Sequence, residues 1–191
     1  MNRMEESDAS VVAHVLAGDR DAYRVLVERH SHSIFRLAFR MTGNEQDAED
    51  VVQETFLRAY RRLNRFESRS TFSTWLYRIA VNCSLDFSRQ RRHEDDRQVA
   101  REPEAPDPVL SLPSTDPSAE RLMMSAEVRK KVEATMKTLS HKERAAFVLR
   151  HFEGQSIEEI ARALGVKANA AKNNIFRAVQ KLRRALEPVV G

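Results

Sequence analysis

Apolar side chains recur at intervals of three and four along most of this chain, the period of an amphipathic helix. The clearest run is Ala48, Val51, Val52, Thr55, Phe56, Ala59 and Leu63, which predicts a helix over about 45–63. Before it, Val11, Val12, Val15 and Leu16 turn inward on a short helix over about 7–17, which Gly18 ends. Asp19 is placed to cap the next helix, over about 20–41, with Ala22, Leu26, Ile34, Leu37 and Met41 near one face. Gly43-Asn44 breaks it. A fourth helix over about 71–91 carries Phe72, Trp75, Leu76, Ile79, Ala80 and Phe87. From His93 to Ala119 the pattern collapses, and five of the six prolines lie there, which predicts a linker rather than a helix. Beyond it, Leu122, Ala126, Val132, Met136 and Leu139 give a helix over about 119–139. Ser140 with Glu143 forms a capping box for a helix over about 142–152. Ser156 with Glu159 forms another, opening a short helix whose apolar face is Ile157, Ile160, Ala161 and Leu164. Gly165, free to take positive φ, ends it. A last helix over about 168–187 turns Ala171, Ile175, Ala178, Val179, Leu182 and Leu186 inward.

The expected fold is all-α: two small helical domains, 1–92 and 120–191, joined by a Pro-rich acidic linker over 93–119, the second ending in a helix-turn-helix. Composition agrees, with aromatics at 7% and only 5 glycines. One cysteine, Cys83, leaves no intramolecular disulfide framework and suits a reducing cytoplasm. There is no apolar run long enough to span a bilayer and no apolar segment after the N-terminal Met-Asn-Arg-Met-Glu-Glu. A cytoplasmic chain without membrane insertion is expected.

Charge divides the two halves. From Arg121 onward there are 15 Lys/Arg against 7 Asp/Glu, a surplus of eight cations; before it, 17 stand against 21, a deficit of four. The outer face of the last helix carries Lys167, Asn169, Lys172, Asn173, Asn174, Arg177 and Lys181, and no acidic residue occurs from Lys167 to Ala185. A merely solvated face normally mixes both signs. A basic, amide-rich second helix after a tight Gly turn is suited to the major groove, where Asn pairs with adenine and Arg or Lys with guanine.

The third helix runs from acidic to basic (Glu45, Asp47, Glu49, Asp50 and Glu54 first; Arg58, Arg61 and Arg62 last). The helix dipole accounts for several of these charges but not for Glu54, which lies too far along. In the fourth helix and the loop before it, aromatics interleave with Arg, a pattern suited to single-stranded nucleic acid. Trp75 with Ile79 keeps core spacing, while Tyr77 and Phe66 are expected to face outward. Catalytic chemistry is missing from the sequence. No glycine loop for phosphate exists, and the six histidines are scattered, with His30 and His32 pointing apart on a helix and expected at the surface. Cys83 has no reactive neighbour and is expected in the core. No catalytic residue, metal or cofactor is expected.

Four segments together resemble bacterial sigma factors of the extracytoplasmic-function type, the minimal members of the sigma-70 family: Asp47 to Tyr60, Phe66 to Asn82, Leu139 to Gly165, and Ile175 to Leu182. The resemblance spans nearly the whole chain. It implies that the third helix, through Asp47, Asp50, Val51, Gln53 and Glu54, docks on the clamp of core RNA polymerase's largest subunit. It implies that the segment with Arg65, Phe66, Arg69, Ser70, Thr71, Phe72, Tyr77, Arg78 and Asn82 reads and melts the −10 promoter element. It implies that the linker threads the neighbouring polymerase channel and that the helix-turn-helix reads the −35 element. An anti-sigma factor is a further partner implied by the family. One departure stands out: where family members often carry Gly-Thr-Val and Lys-Ser-Arg, this chain has Asn169-Ala-Ala and Lys172-Asn-Asn174, so Ala170 lacks a hydroxyl and Asn174 replaces a cation. The alternative is a stand-alone helix-turn-helix transcriptional regulator, which would have no use for the acidic helix or the Trp75 segment.

Overall fold

The computed structural model describes residues 6–98 and 126–190, and among these it contains helices and no strand. Four helices form the first half: α1 (Asp8–Leu16), α2 (Tyr23–Thr42), α3 (Glu45–Arg61) and α4 (Phe72–Gln98). Four form the second: α5 (Ala126–Thr138), α6 (His141–His151), α7 (Ile157–Leu164) and α8 (Ala168–Val190). α4 continues to Gln98, past residue 93 where the linker is expected to begin. Nothing from His93 to Gln98 breaks a helix; the prolines start at Pro103 and, like the rest of the expected linker, lie outside the described residues.

Local chemistry sets the helix ends. Ser7 caps α1 by accepting from the Ser10 N–H, 3.2 Å. Asp19 caps a 310 turn, Arg20–Ala22, so the long helix proper starts three residues later than its apolar pattern suggests. Gly43 ends α2 at φ +77°, and Asn44 accepts from the Asp47 N–H, 3.0 Å, to start α3. A second 310 turn, Leu63–Arg65, follows α3.

In the first half, α2, α3 and α4 pack on one another around Leu26, Leu37, Met41, Val51, Phe72, Leu76 and Ala80, all buried. In the second, α8 lies against α5, α6 and α7 and buries Ala171, Ala178 and Leu182. Two residues expected inside face out: Leu16, 52% exposed, and Val179, 36% exposed. Each follows directly on a buried residue, Val15 or Ala178, and one step along a helix rotates a side chain about 100° off the buried line.

The halves do not stand apart. α7 lies along α4, α6 touches α2, and the buried residues of both halves form one continuous apolar cluster. Polar ties cross the same seam. Glu153, in the turn after α6, receives two bonds from Arg36, Nε at 3.3 Å and Nη2 at 2.9 Å, and one from the Tyr77 hydroxyl at 3.2 Å. Arg144 donates to the Met41 carbonyl at 2.7 Å, and the Arg40 guanidinium stacks 4.0 Å over the Phe152 ring.

Candidate nucleic-acid interface

The helix-turn-helix is built by its own caps. The Ser156 hydroxyl accepts from the Glu159 N–H at 3.2 Å, and the Glu159 carboxylate accepts from the Ser156 N–H at 2.8 Å. Those bonds, the Ser156 N–H first, hold the Glu159 carboxyl below the usual carboxylate range. α7 closes on Gly165 at φ +61°, with the Val166 N–H reaching back to the Ala161 carbonyl, 2.9 Å, and the Gly165 N–H to Arg162, 3.3 Å. This paired return turns the chain sharply into α8. Buried Ala171 lets the two helices approach closely.

The turn leaves Lys167, Asn169, Lys172, Asn173 and Arg177 exposed along the outside of α7–α8, and Asn174 half-buried at its edge. Lys181 differs. Its ammonium binds the Glu143 carboxylate at 2.6 Å, and Glu143 is itself almost fully buried. Burial opposes charge on Glu143, yet the Lys181 ammonium and the Ser140 N–H still hold its carboxyl below the usual range. Lys181, expected to meet DNA, therefore also ties α8 to α6, and its side chain remains 45% exposed. Phe176, absent from that expectation, is 64% exposed beside Arg177 on the same helix.

Around the loop before α4, Arg65, Arg69, Thr71, Arg78 and Asn82 are exposed, while Phe66 and Ser70 are half-buried. The Thr71 hydroxyl caps α4, accepting from the Thr74 N–H at 3.2 Å. Ser68 holds φ +53°, an unusual left-handed turn for a residue with a side chain, which sets the loop's shape. Phe66, Phe72 and Trp75 form a triangle of rings, centroids 5.5–5.6 Å apart. Phe72, 2% exposed, and Tyr77, 5% exposed, point inward. Tyr77 was expected outside. It lies instead under the second half, where burial, then the Glu153 carboxylate, raises its hydroxyl to about 12. Arg162 of α7 reaches this loop: its guanidinium donates to the Arg69 carbonyl at 3.2 Å, so the helix-turn-helix touches the loop directly.

On α3, Asp50 and Gln53 are exposed as expected. Val51 is fully buried and cannot touch a partner. Asp47 pairs with Arg91 at 2.9 Å, and Glu54 with Arg58 at 2.6 Å, so both are partly engaged within the chain. Leu57, 41% exposed, and Tyr60, 40% exposed, continue the line of Asp50 and Gln53 at steps of three and four. The outer stripe of α3 is thus acidic at one end and apolar at the other. The spacing 50, 53, 57 and 60 is visible in the sequence, where the charges of the first turns stand out more than the two apolar residues that follow.

His30, expected at the surface, has a side chain only 14% exposed and bonded to Asp8 at 2.8 Å. Cys83 is buried as expected. Among the described residues no group of His, Cys, Asp and Glu is placed to hold a metal ion.

Residues 26–94 match the family described as Sigma-70 region 2, and residues 129–182 match Sigma-70, region 4. The chain is 36% identical over 188 residues to the RNA polymerase sigma-H factor of Pseudomonas aeruginosa, covering 97% of both chains. It is 33% identical over 186 residues to the ECF RNA polymerase sigma-E factor of Haemophilus influenzae, covering 96% of this chain and 97% of that one. Among solved structures, CnrH in complex with the cytosolic domain of CnrY is similar over 96% of this chain and 99% of its own, with TM-score 0.68 and 28% identity.

Proposed function

From a chain that belongs to the extracytoplasmic-function sigma factors of the sigma-70 family, we propose a division of labour among three surfaces. The chain is a transcription initiation factor that binds core RNA polymerase and directs it to particular promoters, reading −35 duplex and melting and reading −10 DNA. One observation carries this: the two family matches fall, in order, on the aromatic-and-Arg segment and on the basic helix-turn-helix. A stand-alone regulator would leave the first of these and the outer stripe of α3 without a task.

The finer assignments follow the surfaces. Residues 1–92 serve as region 2 and 120–191 as region 4, with 93–119 between them. The outer stripe of α3, led by Asp50 and Gln53 and extended by Leu57 and Tyr60, meets the basic clamp of polymerase. Arg65, Arg69, Arg78 and Asn82 hold the backbone of the −10 strand while Phe66 stacks on an unpaired base; extruding a base costs a few kcal/mol, so capture and melting are a single event. Lys167, Lys172 and Arg177 anchor phosphates, and Asn169, Asn173 and Asn174 meet base edges. The chain makes no RNA itself; polymerase supplies the chemistry. No described helix is long and apolar enough to cross a membrane. The lone, buried Cys83 fits work in a reducing cytoplasm. An anti-sigma factor completes the partners.

The test is run-off transcription from a genomic promoter library by core polymerase, with and without the chain. Initiation at a defined subset of promoters only when the chain is added is the expected result. If polymerase gains no selectivity while the chain alone shifts duplex DNA, the regulator reading replaces this one.

A further inference from the structure

α1 lies ahead of the residues matched by region 2, which begin at residue 26, yet it grips the −10 loop at both ends. At the near end, Val15 and Leu16 line an open cavity together with Tyr60, Arg61, Leu63 and Asn64. Leu63 and Asn64 belong to the 310 turn from which the loop departs. Val15 and Leu63 are both buried, so this end of the loop is held by apolar packing against α1.

The far end is held by charge and rings. Asp8, in the first turn of α1, offers one carboxylate oxygen to Arg29 Nη1 at 2.8 Å and the other to His30 Nε2 at 2.8 Å. The Asp8, Arg29 and His30 side chains are 27%, 16% and 14% exposed, so water competes weakly for these bonds. His30, fixed by Asp8, lays its ring 5.3 Å from Phe72. Phe72 stands edge-on to Phe66, 5.5 Å away. A chain of contacts therefore runs from a carboxylate on α1 through His30 and Phe72 to Phe66, the aromatic side chain of the loop.

We propose that α1 is the clamp that sets the reading shape of the −10 loop, with Asp8 as its positioning residue. The inference rests on the assignment of the loop to the −10 strand. Asp8 touches no DNA; it acts through the His30 ring. Without it, His30 is free to change rotamer, Phe72 loses a neighbour, and Phe66 no longer meets a captured base at a fixed angle. Small misplacements of this kind are costly because stacking and capture need one geometry.

The experiment uses holoenzyme reconstituted with core polymerase and two promoters that differ by one base pair in the −10 element. Asp8→Ala, Asp8→Asn, His30→Gln, the Asp8→Ala/His30→Gln double variant and Phe66→Ala are compared. The readouts are the ratio of initiation at the two promoters, activity on a template with the −10 region already unpaired, and thermal stability. Assays run well below the lowest melting temperature. Asp8→Ala is expected to reduce −10 discrimination about tenfold, to recover on the premelted template, and to add little in the His30→Gln background. A purely structural role would lower activity equally on all templates and leave the ratio unchanged. If Phe66→Ala collapses the ratio while neither Asp8 variant moves it, the clamp is overturned and the loop assignment stands. If Phe66→Ala also leaves the ratio unchanged, the loop assignment falls and the clamp with it.

Discussion

Removing the Glu153 carboxylate should part the two halves. Glu153, on the second half, bonds both α2 and α4, through Arg36 and Tyr77. Its side chain is 2% exposed, while that of Arg36 is 34% exposed. Breaking a fully buried pair costs about 3–5 kcal/mol, most of it from stranding the remaining charge. Here Arg36 can rehydrate and Tyr77 keeps Ser33 nearby, so the cost of Glu153→Ala falls below that range, to about 2 kcal/mol. That amounts to a roughly thirtyfold shift toward the open form. Glu153→Gln, which retains hydrogen bonds without charge, should shift it less. Single-molecule energy transfer between dyes on Glu49→Cys and Asn169→Cys, both exposed positions across the seam, reads the change. Cys83 stays unlabelled because it is buried and burial raises its thiol pKa. Arg36→Ala should act like Glu153→Ala, and the double variant should add little. An unchanged open population in Glu153→Ala, with the fold intact, would refute this role for Glu153.

Gly165→Ala should cost about 1–2 kcal/mol, since Ala at φ +61° meets a steric penalty even though space for its Cβ exists; urea denaturation measures it, and Gly165→Asn should lose less. His141 is held to about 4, by burial first and then by the Arg144 and Arg89 cations. Between the ordinary value of 6.5 and about 4 the unfolded chain takes up a proton that the folded chain refuses, so stability should fall as pH drops through that window. Urea titrations of His141→Gln should lose that part of the acid limb. Asn174→Arg should move −35 preference away from adenine towards guanine in a selection from randomised duplexes; an unchanged preference would remove Asn174 from base readout. A flexible bismaleimide joining Arg69→Cys to Arg162→Cys should abolish initiation at promoters that need both elements, and a cleavable version should restore it on cleavage.

What was legible in the sequence is what local chemistry decides. Ser140 with Glu143, Ser156 with Glu159, and Gly165 announced their caps because each involves partners at most five residues apart. The inward lines of α2 and α3 were legible because one periodic stripe is enough to place them. The seam was not, because its partners are remote: Arg36 and Glu153 are 117 positions apart. Tyr77 reads as outward-facing from its neighbours alone, and only the packing of the second half shows what covers it. Lys181 reads as one more cation on a basic face until α6 brings Glu143 beneath it. Asp8 and His30 failed for the same reason, since a carboxylate on α1 has no sequence signal tying it to a histidine on α2.

The seam also explains how one chain can expose its tools and still withhold its action. The −35 and −10 elements lie about 25 base pairs apart by position, roughly 85 Å of duplex at 3.4 Å per base pair. In this structure the helix-turn-helix and the −10 loop are joined by a bond of 3.2 Å. With the −35 element on the helix-turn-helix and the −10 element on this loop, as proposed, the two cannot be occupied together until the halves separate. Tyr77 and the side of α4 beneath α7 are covered, while Asp50, Gln53, Leu57 and Tyr60 on α3 face solvent. On the proposed assignments, the stripe of α3 is therefore reachable before opening, and the two promoter surfaces are jointly usable only after it. Each ~1.4 kcal/mol by which the closed form is favoured weakens two-site promoter binding by the free chain about tenfold, because only the open fraction is competent. Polymerase that grips α3 and holds the second half elsewhere contributes that free energy once, on docking. Promoter selection would then begin with the polymerase contact, and the seam would keep a free chain from occupying promoters without an enzyme to use them.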